Sequence, residues 1–159
     1  KTYHSRGCVL YNRRAFPNAL ADFQKASKLD LTNDYARFYS WLIQARLGKK
    51  ETATKRLRAY LENRKTRKPD DWPSQIGLFL VGQLNESEFF KTAVNADKKV
   101  ETERQCEAYF YAGTRRLIEG DRTTATVYFE KCLTTGKADF TEYQSATEEL
   151  KFLRAPQQP

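Results

Sequence analysis

The sequence predicts an all-α protein: a right-handed superhelical array of about four helical hairpins closed by a C-terminal capping helix, nine helices in total. Two observations lead to this prediction. Apolar residues recur at three- and four-residue intervals in successive segments, which is the period of an amphipathic helix. Small and aromatic residues also recur at matching places in these segments, as expected when hairpins of one design stack on each other.

The predicted elements form one domain over residues 1–153, followed by a disordered tail at 154–159. The hairpins are expected at about 2–31, 32–65, 72–96 and 101–135, and the capping helix at 139–153. A chain of 159 residues is long enough to give such an array a packed core. The sequence begins at Lys1 and contains no methionine, so we expect it to be an excised or processed piece.

The clearest hairpin lies between Cys106 and Phe129. Its signature positions follow the order bulky, small, turn, small, aromatic: Tyr109, Gly113, Gly120, Ala125 and Phe129. We interpret these as packing residues. Gly113 is expected to let the second helix approach closely, because glycine has no Cβ.

The first two hairpins repeat parts of the same order. The first contains large, small, small, aromatic and small residues at Tyr3, Gly7, Ala19, Phe23 and Ala26. The second is predicted as helices at about 33–47 and 49–64, with Gly48 at the turn and Ala53 lying 34 residues after Ala19. Trp41 stands where a small residue is expected, so its ring must displace the neighbouring helix or fill a gap.

Residues 64–71, RKTRKPDD, predict a mobile loop, because a charge run precedes a proline. An apolar helix follows, with Trp72 and Pro73 in its first turn and Ile76, Leu78, Phe79, Leu80 and Val81 after them. Asn85 and Glu88 have the spacing of a capping box, which predicts a short helix from Glu86.

The last helix is predicted from a second capping box, Asp139 with Glu142. Its apolar positions are Phe140, Tyr143, Ala146, Leu150 and Leu153, and its polar face is expected to contain Glu142, Gln144, Glu148 and Lys151. A helix with one apolar and one polar face suits the end of an array, where it covers apolar surface and meets water.

The net charge of +8 is concentrated between Arg46 and Lys68, a segment that contains ten basic residues and two acidic ones. We define the basic patch as Lys49, Lys50, Lys55, Arg56, Arg58, Arg64, Lys65, Arg67 and Lys68. It is open whether the patch binds anions, such as acidic peptides, nucleic acid, anionic lipid or cell-wall polymer, or is a solvated helix face with a flexible loop.

Catalytic chemistry is not indicated. The single histidine, His4, has no recognisable nucleophile beside it, and nucleophilic catalysis needs a base held next to the nucleophile. No phosphate-binding loop or metal-spaced cluster is present in the sequence, so no cofactor and no metal are predicted. Cys8, Cys106 and Cys132 lack paired spacing and are expected to be buried thiols.

The first, second and fourth hairpins resemble the tetratricopeptide superfamily. From Trp72 onward the order WP, FLVGQLNE, CEAYFYAG, GD, YFEKCL and DFTEYQSATEEL is similar to the C-terminal half of the bacterial "new lipoprotein I" family. This resemblance implies an exported, lipid-anchored, all-helical protein in the bacterial envelope. It also implies a protein that dimerises and presents other envelope proteins to a protease or to cell-wall enzymes. A cytoplasmic location is the alternative.

Resemblance to tetratricopeptide arrays also implies a concave groove lined by first-helix residues. Here these would be His4, Cys8, Tyr11, Asn12, Tyr35, Phe38, Leu42 and Arg46. Tyr35 and Phe38 favour an apolar or helical peptide as the ligand. The alternative is that these aromatic residues pack against an upstream repeat.

The sequence therefore favours a non-enzymatic scaffold or adaptor that binds another protein or peptide. The rival function is binding of anionic polymers through the basic patch. A third possibility is a structural domain whose only partner is a second copy of itself.

Overall fold

The computed structural model describes residues 2–64 and 71–156, and within these ranges the chain forms nine α-helices and no β-strand. The all-α prediction is confirmed. The helices are α1 (Thr2–Asn12), α2 (Phe16–Leu29), α3 (Asp34–Arg46), α4 (Lys50–Asn63), α5 (Trp72–Leu80), α6 (Glu86–Ala93), α7 (Lys98–Ile118), α8 (Arg122–Thr134) and α9 (Thr141–Arg154). Of the predicted loop at 64–71, residues 65–70 lie outside the described ranges, as do the last three residues of the predicted tail.

The chain divides into two compact units, the first ending at Thr92 and the second beginning at Ala93. In the first unit α2 packs against α1 and α3, and α3, α4 and α5 pack against one another. The Phe89 ring of α6 stacks on the rings of Phe79 and Trp72 in α5, at 4.3 and 5.5 Å between centroids. In the second unit α7, α8 and α9 all contact one another.

Several helices have a polar side chain that caps their first turn. The Asn33 side chain accepts a hydrogen bond from the Ala36 amide at 3.0 Å, ahead of α3. At α6 the predicted capping box is confirmed: the Glu88 amide donates to Asn85 Oδ1 at 2.9 Å, and the Asn85 amide donates to Glu88 Oε2 at 2.8 Å. These local bonds satisfy first-turn amides that have no helical acceptor.

The predicted capping box at Asp139 and Glu142 is wrong. The Phe140 amide donates to the Lys137 carbonyl at 2.8 Å, so Asp139 lies inside a tight turn and α9 begins only at Thr141. Glu142 then falls in the first turn of the helix on its buried side, and its Oε1 accepts a hydrogen bond from the Tyr111 hydroxyl at 3.2 Å. Glu142 therefore does not belong to the polar outer face.

Glycine meets phenylalanine in two of the predicted hairpins. A Cβ added to Gly7 would lie 3.0 Å from Phe23 Cε1, and one added to Gly113 would lie 2.9 Å from Phe129 Cε1. Both phenylalanines are fully buried. The interpretation of Gly113 and Phe129 as packing residues is confirmed, because any side chain at Gly113 would force the two helices apart or the ring aside.

Candidate binding cleft

The candidate site is a cleft of about 140 Å³ between α2, α3 and α4 of the first unit. Arg37, Ser40, Trp41 and Gln44 form its α3 wall, at the three- and four-residue spacing that places side chains on one helix face. The other described lining residues are Gln24 and Ser27 from α2, and Ala53, Arg56, Leu57 and Tyr60 from α4. None of these lining residues is acidic.

Trp41 forms the apolar side of the cleft. It occupies the α3 position that corresponds to Gly7 and Gly113 in the other hairpins. Its ring is 1% exposed, and its Nε1 donates to Thr54 Oγ1 of α4 at 3.0 Å. The indole thus spans the space between α3 and α4. A glycine at this position would let the two helices approach closely. The cleft lies beside the indole ring.

Arg37 lies in the cleft without a carboxylate partner among the described residues. Its Nη2 donates to the carbonyl oxygens of Ser27 and Leu31 at 3.3 and 3.4 Å, which are long hydrogen bonds. Its guanidinium carbon lies 3.9 Å from the centroid of the Tyr60 ring, a cation–π contact. Its Nε is buried and has no hydrogen-bond acceptor. The positive charge is therefore held by a ring and by neutral carbonyl groups.

Arg56 is the second cation of the cleft, and it is exposed. Its Nη1 lies 3.5 Å from Gln44 Oε1, at the limit of a hydrogen bond. The Gln44 side chain is itself fixed by a hydrogen bond, which its Nε2 donates to the Ser40 carbonyl at 3.1 Å. Within the described ranges no aspartate or glutamate forms an ion pair with Arg56.

Two other arginines of the first unit are paired with acids. Arg64 Nη2 lies 2.6 Å from Asp34 Oδ2, and its Nη1 lies 2.8 Å from Asp71 Oδ2. Burial disfavours the charged guanidinium, but the hydrogen bonds to both carboxylates outweigh this and raise the pKa of Arg64. Arg6 pairs with Asp22 at 2.6 Å. The two cations of the cleft differ from Arg64 and Arg6 in having no such ion pair among the described residues.

The inclusion of Arg64 in the basic patch is wrong. Its side chain is buried between the carboxylates of Asp34 and Asp71, so it presents no charge to a partner. The α4 members of the patch are exposed, namely Lys49, Lys50, Lys55, Arg56 and Arg58. Lys65, Arg67 and Lys68 lie outside the described residues.

Several residues of the predicted concave groove are not available to a ligand. Tyr11, Phe38 and Leu42 are each no more than 2% exposed, and Cys8 is buried as well. Phe38 and Leu42 are buried because α3 packs against α2, α4 and α5, which leaves ten of its thirteen residues buried. These groove positions are corrected to core positions.

The remaining groove residues are half-buried: His4, Asn12, Tyr35 and Arg46. Arg46 contacts Tyr11, since Arg46 Nη2 donates a hydrogen bond to the Tyr11 hydroxyl at 3.1 Å. The Tyr35 ring meets the Phe38 ring edge-on at 5.7 Å. The His4 ring lies edge-on to Phe23 at 5.5 Å, and burial lowers the pKa of its imidazole.

The cleft lies on a different face of α3 from the groove positions Phe38 and Leu42. Phe38 directly follows Arg37, and Leu42 directly follows Trp41. Consecutive residues of an α-helix point about 100° apart around its axis. The predicted groove and the cleft therefore share α3 but use different faces of it. The available signal was Trp41 itself, a large ring at a position of small residues.

A second polar cluster lies inside the second unit. Cys106 Sγ and Cys132 Sγ are 3.6 Å apart, and Glu142 and Tyr111 lie beside them in the same core. Burial, and next the charge of Glu107, raise the pKa of Glu142 to about 8. All three cysteines are buried free thiols, as predicted. The cluster is closed to solvent, so it serves packing rather than ligand binding.

No protein-family model matches this sequence. None of the described helices is both long and apolar enough to cross a membrane. The described residues also contain no group of three or more histidine, cysteine, aspartate or glutamate side chains placed to hold a metal ion.

Proposed function

We propose that this chain is a non-enzymatic protein-binding scaffold or adaptor built from tetratricopeptide-like hairpins. The contacts of Gly7 with Phe23 and of Gly113 with Phe129 support the repeat assignment, because they occupy matching places in two hairpins. The right-handed superhelix and kinship with the new lipoprotein I family, with its envelope location, are parts of the same proposal. Stacked helical hairpins characteristically offer their surfaces to other proteins.

The cleft between α2, α3 and α4 is the observation that favours binding most directly. It places the guanidinium groups of Arg37 and Arg56 in one concave site, where no described lining residue is acidic. A half-buried cation that is not ion-paired is costly, and a partner that supplies a paired charge recovers that cost. The binding site is therefore assigned to this cleft rather than to the face bearing Phe38 and Leu42.

Site-specific photo-crosslinking tests the assignment. A photoreactive residue replaces Gln24, which lines the cleft, or Lys25, its exposed neighbour on another side of α2. Both proteins are irradiated in an extract of the source cells, and the crosslinked partners are identified by mass spectrometry. We expect at least one partner that crosslinks from position 24 and not from position 25. Identical sets from the two positions contradict a cleft-directed scaffold.

The exposed basic side chains of α4 favour a second candidate function, the binding of anionic polymers. Lys49, Lys50, Lys55 and Arg58 are all exposed. Binding of this kind is salt-sensitive and weakly selective. Titration with heparin, DNA and anionic vesicles at low and high salt tests it. An absence of binding at low salt eliminates this candidate.

A further inference from the structure

We infer that the cleft receives the side-chain carboxylate of a glutamate or aspartate in a partner protein, with an apolar residue beside it. This inference rests on the proposed scaffold function and adds the chemistry of the segment that is bound. It is carried by four features of the cleft: its charge, its donor groups, its size and the apolar residue at its edge.

The charged residues that line the site are all basic. The cleft continues into a wider depression of about 440 Å³, whose described lining residues are Gln24, Ser27, Lys28, Leu31, Arg37 and Arg56. Three of these are cations and none is an acid. The occupant that matches this surface is an anion.

The donor groups suit a carboxylate. Arg37 has long hydrogen bonds to carbonyl oxygens at 3.3 and 3.4 Å and a contact with the Tyr60 side chain, and Arg56 meets an amide oxygen at 3.5 Å. Hydrogen bonds from a guanidinium to an ionised carboxylate are shorter and stronger than these, and they can form in pairs. A carboxylate that enters the cleft would therefore form stronger hydrogen bonds to these arginines than the neutral oxygens that it displaces. Gln24 and Ser27 add further polar groups at the rim.

The size of the inner cleft, without the wider depression, favours a single side chain there. Sites for drug-sized ligands usually occupy about 300–1,000 Å³, and this cleft holds about 140 Å³. Nucleic acid is disfavoured because single strands bind on exposed aromatic rings. Trp41 is almost fully buried, and the Tyr60 ring is covered by Arg37. Neither ring is available to stack on a base.

The apolar residue at the edge is Leu31, which is 68% exposed and lines the wider depression together with Lys28 and Arg37. An exposed leucine beside a cationic cleft offers contact to an apolar side chain next to the bound acid. The expected ligand is therefore a short acidic segment that contains a large apolar residue, and not a uniformly acidic tail.

NMR titration of the ¹⁵N-labelled protein tests the carboxylate. The probe is a capped peptide with one glutamate followed by leucine in a glycine–serine background, and its control carries glutamine instead. We follow the Nε–H resonance of Arg37 and the indole N–H resonance of Trp41. The glutamate peptide should shift both, and the glutamine peptide should bind about tenfold more weakly or not at all. Equal shifts with both peptides, or none with the glutamate peptide, overturn the inference.

Two variants locate the bound groups. Arg56→Gln, at an exposed position, should weaken the glutamate peptide about tenfold without unfolding the protein. Leu31→Ser should weaken the glutamate–leucine peptide severalfold and leave a glutamate–serine peptide unchanged. An unchanged affinity in Arg56→Gln removes the carboxylate site, and an equal effect of Leu31→Ser on both peptides removes the apolar subsite.

Two further outcomes separate this inference from its alternatives. If inorganic phosphate or single-stranded DNA shifts the Arg37 and Trp41 resonances more strongly than the glutamate peptide does, the site takes phosphate and the inference fails. If the peptide does not bind but position 24 still crosslinks a specific partner, the scaffold function stands and only the acidic ligand is wrong. If both experiments fail, both proposals fail.

Discussion

Arg64, at the end of α4, donates two hydrogen bonds to Asp34, at the start of α3, at 2.8 Å from Nε and 2.6 Å from Nη2. The same guanidinium bonds Asp71 and Ser74 through Nη1. One side chain therefore joins the first turns of α3 and α5 to the last turn of α4. Because the charges are buried together, the removal of one leaves the others unsatisfied.

Arg64→Ala should destabilise the first unit by about 3 kcal/mol, because it strands the buried Asp34 carboxylate without its counter-charge. Urea unfolding followed by circular dichroism measures the change. Arg58→Ala is the control, since Arg58 is exposed, and it should change stability by no more than about 0.5 kcal/mol. Equal effects of the two substitutions contradict a structural role for Arg64.

Gly113→Leu should destabilise the second unit by about 3 kcal/mol or unfold it, because a side chain there meets the Phe129 ring within 3 Å. Thermal unfolding measures this change. Ala138→Leu adds bulk at an exposed turn position and should leave the melting temperature nearly unchanged. The packing assignment is wrong if Gly113→Leu melts like the unaltered protein.

The buried Glu142 predicts a dependence of stability on pH. Its folded-state pKa is raised to about 8 from the ordinary 4.5, by burial first and then by the charge of Glu107. Between these values the folded state keeps a proton that the unfolded state releases. Stability is therefore greatest below about pH 4.5 as far as this group is concerned, and falls as the pH rises toward 8. The limiting slope for one proton is about 1.4 kcal/mol per pH unit.

Urea titrations at pH 5 and pH 8 test this dependence, and the groups that face Glu142 are Tyr111, Glu107, Cys106 and Cys132. Glu142→Gln should flatten the slope because it removes the titrating group. Glu148→Gln, a half-exposed position on the same helix, should retain the slope. A slope unchanged by Glu142→Gln shows that another group is responsible.

The three cysteines should be inaccessible to a thiol reagent in the folded protein. Cys8 is 8% exposed, and Cys106 and Cys132 are fully buried. Reaction with Ellman's reagent is expected to detect almost no thiol in the native protein and all three after unfolding in urea. Rapid modification of a thiol under native conditions contradicts the packing described for that residue.

The helices were predictable because the signals for them are local. Helical periodicity places α3 within one residue of its predicted ends. The errors involve distant partners. Arg64 is buried because it bonds to Asp34, 30 residues away in the chain. Glu142 lies in the core, where it accepts a hydrogen bond from Tyr111, 31 residues away. Spacing along one helix does not reveal which face its neighbours will cover.

The candidate cleft was only partly predictable for the same reason. Trp41 is visible in the sequence as a large ring at a small-residue position, which indicates an irregular contact between α3 and α4. The cleft itself needs Gln24, Arg37 and Arg56 from three helices, and their meeting depends on how those helices pack. That information is non-local, so the residues of the site could not be collected from periodicity alone.

The most direct test of the account compares Arg56→Gln with Arg58→Gln. The two arginines are exposed, lie two residues apart on α4 and carry equal charge, but only Arg56 lines the cleft. The measurement is the dissociation constant for the partner that crosslinks from position 24. We predict about tenfold weaker binding for Arg56→Gln and little change for Arg58→Gln. Equal weakening by both contradicts a cleft-directed site and favours binding by the general charge of α4.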